Sequence, residues 1–133
     1  MNIFVLDSSP RLSAQLMHDV HVRKMIIESA QMLANAFSEE RLARSDVPRT
    51  QKGTIRKHSY LHHPCSQWVL RSDRNFSWLL EHAIELCREY RRRFGKRHYT
   101  SEFVEWVWSV REQTDLPDIG KTTFALAVSK DHH

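Results

Sequence analysis

Apolar residues recur along this chain at intervals of three and four and almost never alternate, a pattern that predicts helices and few strands. Ser8-Ser9-Pro10 supplies a hydroxyl cap and a proline suited to a first helical turn. From there the spacing predicts one long helix to about Phe37. Its stripe is Leu12, Leu16, Val20, Ile27, Gln31 and Ala34, with Met17, His21, Met25, Glu28 and Met32 beside it. Asn2 to Leu6 reads as a short strand or extended arm. Residues 38 to 63 are polar, basic and punctuated by Pro48 and Gly53, which predicts a long loop. His63-Pro64-Cys65 opens a short helix through Trp68 and Val69. Ser72-Asp73 caps a longer one, carrying Phe76, Leu79, Leu80, Ala83, Leu86, Cys87, Tyr90 and Phe94 and closed by Gly95. A fourth starts at Thr100 or Ser101, runs through Phe103, Val104, Val107, Trp108 and Val110, and stops before Leu116-Pro117. Phe124 to Val128 offers a docking strand or an irregular segment. The expected fold is mainly α: a compact single-domain helical bundle over 1–133, of about four helices, with a short N-terminal extended segment and a long basic loop.

Composition narrows this picture. Three glycines in 133 residues argue against a sandwich or barrel. A chain of this length buries enough surface to dispense with disulfides or a structural metal, and Cys65 and Cys87 make no disulfide framework. Apolar stretches such as Ile3 to Leu6 fall far below the ~20 residues of a membrane span. The expectation is a cytoplasmic protein with no membrane partner.

The net charge of +4 matters less than its placement. Arg88, Arg91, Arg92, Arg93, Lys96 and Arg97 fall in the run to His98, whose single acid is Glu89, with Tyr90, Phe94 and Tyr99 interleaved. Arg41, Arg44, Arg49, Lys52, Arg56 and Lys57 form a second, looser group. A solvated helix face is one reading of the tighter run. Exposed helices usually alternate sign, however, and the helix dipole accounts for one or two cations rather than six. Phosphate contact is the other reading, and it makes Arg56, Lys57, His62, His63, Arg88, Arg91, Arg92, Arg93, Lys96 and Arg97 the expected nucleic-acid-binding residues.

Reaction chemistry has three candidate locations. His21, Lys24 and Glu28 share one face of the first helix, beside apolar neighbours, which is costly for charged groups unless they are paired or wet. If the stripe is slightly offset, Lys24 and Glu28 are instead an ordinary exposed pair. His58, His62 and His63-Pro64-Cys65 carry zinc-type ligands but show only one side of such a site, so a cleft-lining or helix-capping histidine is the competing reading and no metal ligand is assigned. Cys87, within an apolar stripe, reads as a buried small hydrophobe. Among the tryptophans, Trp68 and Trp78 read as core, while Trp106 and Trp108 lie about 200° apart on one helix, so one of them is exposed.

Met1 to Asp7, Asp19 to Met25, His63-Pro64-Cys65 with Trp68, and Arg93-Phe94-Gly95-Lys96 with His98 resemble a family of small phage-encoded proteins that brings no function with it. A more distant resemblance is to the pyrimidine-dimer DNA glycosylases of the phage endonuclease V type. Their first long helix carries an Asp-x-His pair with a catalytic Glu seven residues after the His, a spacing matched by Asp19, His21 and Glu28. His63-Pro64 and Arg93-Phe94-Gly95 are similar in order and placement to a His-Pro step and an aromatic Arg-Gly turn of bacterial relatives. Two features depart from the family. Asn2 follows Met1, where the family exposes the α-amino group of a small residue as its nucleophile, and Ile27 and Gln31 stand where it has arginines.

The resemblance implies a DNA-processing protein of a bacterial or phage-infected cell, without cofactor, acting on a damaged or modified base. Glu28 would be the catalytic carboxylate, His21 its positioner or an acid, and Lys24 the cation that keeps Glu28 ionised. The departures point to a monofunctional glycosylase rather than a lyase working through an imine. Two other readings stay open: a non-catalytic binder of nucleic acid or of a host or phage protein, anchored by Trp106 or Trp108, and a metal-dependent nuclease or base-modifying enzyme using His21, Glu28 and the His58 to Cys65 group. The oligomeric state is left open.

Overall fold

The computed structural model describes residues 9–15 and 17–117. The extended segment expected at Asn2 to Leu6 and the strand expected at Phe124 to Val128 lie outside them, as does Leu16. Six α-helices follow in order: α1 (Pro10–Gln15), α2 (Asp19–Ala34), α3 (Glu39–Leu42), α4 (Pro64–Arg71), α5 (Asp73–Phe94) and α6 (Ser101–Ser109), with a short 3-10 turn at Arg111–Gln113. Among the described residues there is no strand, and the fold is a mainly helical bundle.

The local signals at helix ends operate as chemistry dictates. The Ser72 hydroxyl accepts the Asn75 N–H at 3.0 Å to start α5, and Gly95 ends it at φ 69°, a left-handed position that costs glycine no Cβ clash. The Nδ1 of His63 accepts the Cys65 N–H at 3.1 Å, with Pro64 in the first turn of α4. Within the long basic loop, the Ser38 hydroxyl accepts the Arg41 N–H at 3.0 Å and nucleates the single turn of α3. The same loop is tied down further on by the Asn35 amide, which donates to the Ser59 carbonyl at 2.8 Å and accepts the Ser59 N–H at 3.1 Å.

The long first helix expected from Pro10 to Phe37 is instead two helices. His18 is extended (φ −70°, ψ 156°), and α2 restarts at Asp19. Arg93, reaching over from the end of α5, donates to the Gln15 carbonyl at 3.1 Å and the Met17 carbonyl at 2.6 Å. These bonds satisfy backbone acceptors that a continuing helix would have used. The break resets the helical phase, so the expected inward stripe is wrong: Leu12 and Val20 are 46% and 64% exposed, and Ile27 faces out as well. The buried face of α2 is Val22, Met25, Ile26, Ser29, Ala30 and Leu33.

α5 is the centre of the bundle, packing on α1, α2, α4 and α6. Ala30, Leu33, Trp68, Phe76, Leu79, Phe103 and Val107 fill the larger core, and Ala14, Met17, Val22, Met25, Ile26, Leu86 and Tyr90 the smaller. Burying each large side chain contributes roughly 1.5–3 kcal/mol. As helical geometry requires, Trp106 is inside at 8% exposure and Trp108 outside at 42%.

His82 joins α5 to α1. It stacks on Trp78 at 5.0 Å between ring centroids, and its Nδ1 meets the Pro10 carbonyl at 3.1 Å, where the neutral ring donates. Burial pulls its pKa from the ordinary 6.5 to about 4, against the smaller upward pull of the Pro10 carbonyl. The folded protein therefore holds His82 neutral while the unfolded chain takes up a proton below pH 6.5. Stability contributed by this residue should be intact above pH 6.5 and fall as pH drops toward 4, by ~1.4 kcal/mol per unit and roughly 3 kcal/mol in all. Urea midpoints measured between pH 4 and 7 should show this slope in the wild type and its flattening in His82→Phe; parallel curves would exclude His82 as the source.

Candidate active site

His21, Lys24 and Glu28 all stand on α2, but not equally deep. His21 and Glu28 are half-buried at the margin of the packed face, and Lys24 is exposed. At about 100° per residue, Lys24, Ile27, Glu28 and Gln31 share one side of the helix, spanning about a quarter of its circumference. Ile27 and Gln31 form one wall of a groove of about 300 Å³. Its other walls are the turn from Thr50 to Thr54, the guanidinium of Arg56, and Tyr99-Thr100 at the start of α6. Glu28 is not itself among the lining residues, but it adjoins Ile27, which is.

The turn that closes the groove is well formed. The Thr50 N–H donates to the Thr54 carbonyl at 2.9 Å, the Gly53 N–H to the Thr50 carbonyl at 2.8 Å, and the two threonine hydroxyls meet at 2.6 Å. Gly53 takes φ 82°, which the turn demands. Arg56 lies over the Phe103 ring at 4.3 Å, and loss of hydration lowers its proton affinity. Just before α6, the His98 Nδ1 accepts the Thr100 N–H at 3.0 Å, and the His98 ring is stacked on Tyr99 at 4.5 Å, fixing the approach to that helix.

The remaining residues expected to meet nucleic acid are dispersed. Lys57 and His62 are exposed on the loop, while His63 is the cap of α4. In the tight basic run, four of six cations have carboxylate partners: Arg88 with Glu85 at 2.6 Å, Arg92 with Glu89 at 2.5 Å, Arg93 with Glu89 at 2.9 Å and Asp19 at 3.0 Å, and Arg97 with Glu105. Arg91 and Lys96 are exposed and have no carboxylate partner among the described residues. Lys52 and Lys57 on the loop are likewise exposed, and Arg56 is half-buried.

No three His, Cys, Asp or Glu side chains come together as a metal ligand set among the described residues. His58 Nε2 is engaged with the Phe37 carbonyl at 2.5 Å, Cys65 is in the core, and burial pushes the Cys87 thiol pKa up, away from nucleophilic use. Sequence reasoning missed the contributions of Gln31, Thr50, Thr54 and Thr100. Each is an unremarkable polar residue alone, and only the packing of α2, the loop and α6 joins them. Among the described residues no helix is long and apolar enough to cross a membrane.

The sequence matches a family model described as pyrimidine dimer DNA glycosylase over residues 1–102, a span that holds α1 to α5 and every residue lining the groove. No curated protein and no solved structure matches it.

Proposed function

The chain belongs to the pyrimidine dimer DNA glycosylase family, and on that premise we propose that Glu28 is the carboxylate with which it releases a damaged or modified base from DNA. Enzymes of this class hydrolyse an N-glycosyl bond. As that bond breaks, its electron pair leaves with the base and positive charge develops on the sugar. A carboxylate held at the sugar stabilises that charge and orients the water whose oxygen bonds to the anomeric carbon. The water's proton passes through Glu28 to solvent or to the departing base.

The observation that carries this reading is the position of Glu28: half-buried on α2, directly after Ile27, which lines the groove together with Gln31, Arg56 and Tyr99. One oxygen of its carboxylate is enclosed, and a carboxylate shielded from water acts strongly on a developing cation. His21 lies two turns earlier on the same face, in the place of a positioning group or an acid. Lys24 stands one turn from Glu28 and is exposed. Arg91, Lys96 and the loop cations would hold phosphates while the nucleotide is turned out of the stack.

Duplex DNA carrying one pyrimidine dimer tests the reading. Incubated with the full chain, it should acquire an alkali-labile site at the dimer, with none in an undamaged duplex. DNA that stays intact across dimers and a panel of modified bases would remove base excision and leave a DNA-binding role.

A further inference from the structure

The groove beside Glu28 contains a cation that the fold does not neutralise. Arg56 is half-buried, no carboxylate pairs with it among the described residues, and its Nε is enclosed without a hydrogen-bond partner. None of the residues lining the groove is acidic. Its treatment differs from that of Arg88, Arg92, Arg93 and Arg97, each of which the fold pairs with a carboxylate. A charge withdrawn from water is costly unless something compensates it, and here the Phe103 face compensates only one side of the guanidinium.

Three further observations describe the missing partner. Thr100 also lines the groove, and its hydroxyl is buried and has no hydrogen-bond partner. Lys52 stands exposed at the mouth. Tyr99 presents its ring at 44% exposure although its neighbours His98 and Thr100 are buried. A group that satisfies all of them is a tetrahedral anion with acceptor oxygens, attached to a flat ring: a phosphodiester with its base. Guanidinium and phosphate pair through two parallel hydrogen bonds, a threonine hydroxyl adds a third, and bases stack on exposed tyrosines.

We propose that this groove is a phosphodiester subsite that holds an unpaired DNA strand beside Glu28, with Arg56 and Thr100 on the phosphate, Lys52 at its entrance and Tyr99 stacked on the adjoining base. The inference rests on the reading of the Glu28 face as the reacting centre, and it adds which strand state that face receives and through which groups.

Binding of a fluorescein-labelled, lesion-free oligothymidylate, followed by anisotropy across a KCl series, tests it without any chemistry. Arg56→Gln should weaken binding about tenfold and reduce the salt slope by about 0.7, the value for one phosphate contact on a single strand. Arg56→Lys should keep the slope. Tyr99→Ala should weaken binding several-fold at unchanged slope, and Tyr99→Phe should restore it. Arg74→Gln, an exposed cation outside the groove, should change nothing. Wild-type affinity and slope in folded Arg56→Gln would overturn the subsite and make Arg56 a structural cation. Should Arg56→Gln fail to fold, the exposed pair Lys52→Gln and Tyr99→Ala decides, and wild-type binding in both overturns it. Because no bond is cleaved, the result is separable from the role of Glu28: weakened oligothymidylate binding together with undiminished base release by Glu28→Gln would leave the subsite standing and remove the catalytic carboxylate.

Discussion

Glu28→Gln should reduce base release about a thousandfold, ~4 kcal/mol of transition-state stabilisation, while affinity for lesion-free duplex stays within about twofold of wild type. The amide keeps the volume and most of the hydrogen-bonding reach of the carboxylate, so packing beside Met25 and Met32 is preserved and only the charge is lost. That charge matters in the transition state, when the sugar becomes cationic, and hardly at all in the ground-state complex, where the substrate is a polyanion. The loss should therefore appear in the single-turnover rate rather than in half-saturation. Lys24→Met should cost far less, because Lys24 is exposed and its field on Glu28 is screened. Single-turnover assays on dimer-containing duplex, paired with anisotropy on the undamaged duplex, check both halves. Undiminished turnover in Glu28→Gln on every modified substrate would take Glu28 out of the mechanism, and loss of binding and turnover together would make it a binding residue.

How much of this was legible in the sequence depends on the range of the interaction concerned. Ser72 and Gly95 bound α5, and His63-Pro64 opens α4, because caps are made between residues two or three apart. Trp106 and Trp108 separate into core and surface by helical arithmetic alone. The break between α1 and α2 was not legible, because the groups that replace the helix's own hydrogen bonds come from Arg93, far along the chain. The basic run was half-legible. Its cations are where the sequence puts them, but Glu105 and Asp19 reach them only through tertiary packing, and that subtraction leaves Arg91 and Lys96 as its exposed unpaired cations. The α2 wall of the groove is misjudged from spacing alone, because Ile27 and Gln31, which form it, fall in the expected apolar stripe. The opposite wall needs the 50–56 turn and Tyr99-Thr100 brought across from either side, and no local pattern announces that.

Arg93→Met should destabilise the fold by about 2–4 kcal/mol, roughly 10 °C in thermal midpoint, although Arg93 stands among residues that look like a surface charge cluster. Its side chain is only 19% exposed. Its Nε donates to Glu89 at 2.9 Å, one terminal nitrogen to the Met17 carbonyl at 2.6 Å and Asp19 at 3.0 Å, and the other to the Gln15 carbonyl at 3.1 Å. Methionine fills the volume but leaves two backbone carbonyls without these donors, and leaves the buried Glu89 carboxylate to the exposed Arg92 alone. Lysine has the charge without the planar fork and cannot reach four acceptors on two sides, so Arg93→Lys should recover only a minor part of the loss. Arg92→Met, which removes an exposed partner of the same carboxylate, should leave the midpoint almost unchanged. Thermal unfolding of the three variants checks the order, and equal midpoints for Arg93→Met and Arg92→Met would show that the α1–α2 break is held by other contacts. The same pair separates structural from binding charge: with its donors committed within the fold, Arg93 has little left for a phosphate, so at temperatures where Arg93→Met is folded its DNA salt slope should match wild type while that of Arg91→Gln falls by about 0.9.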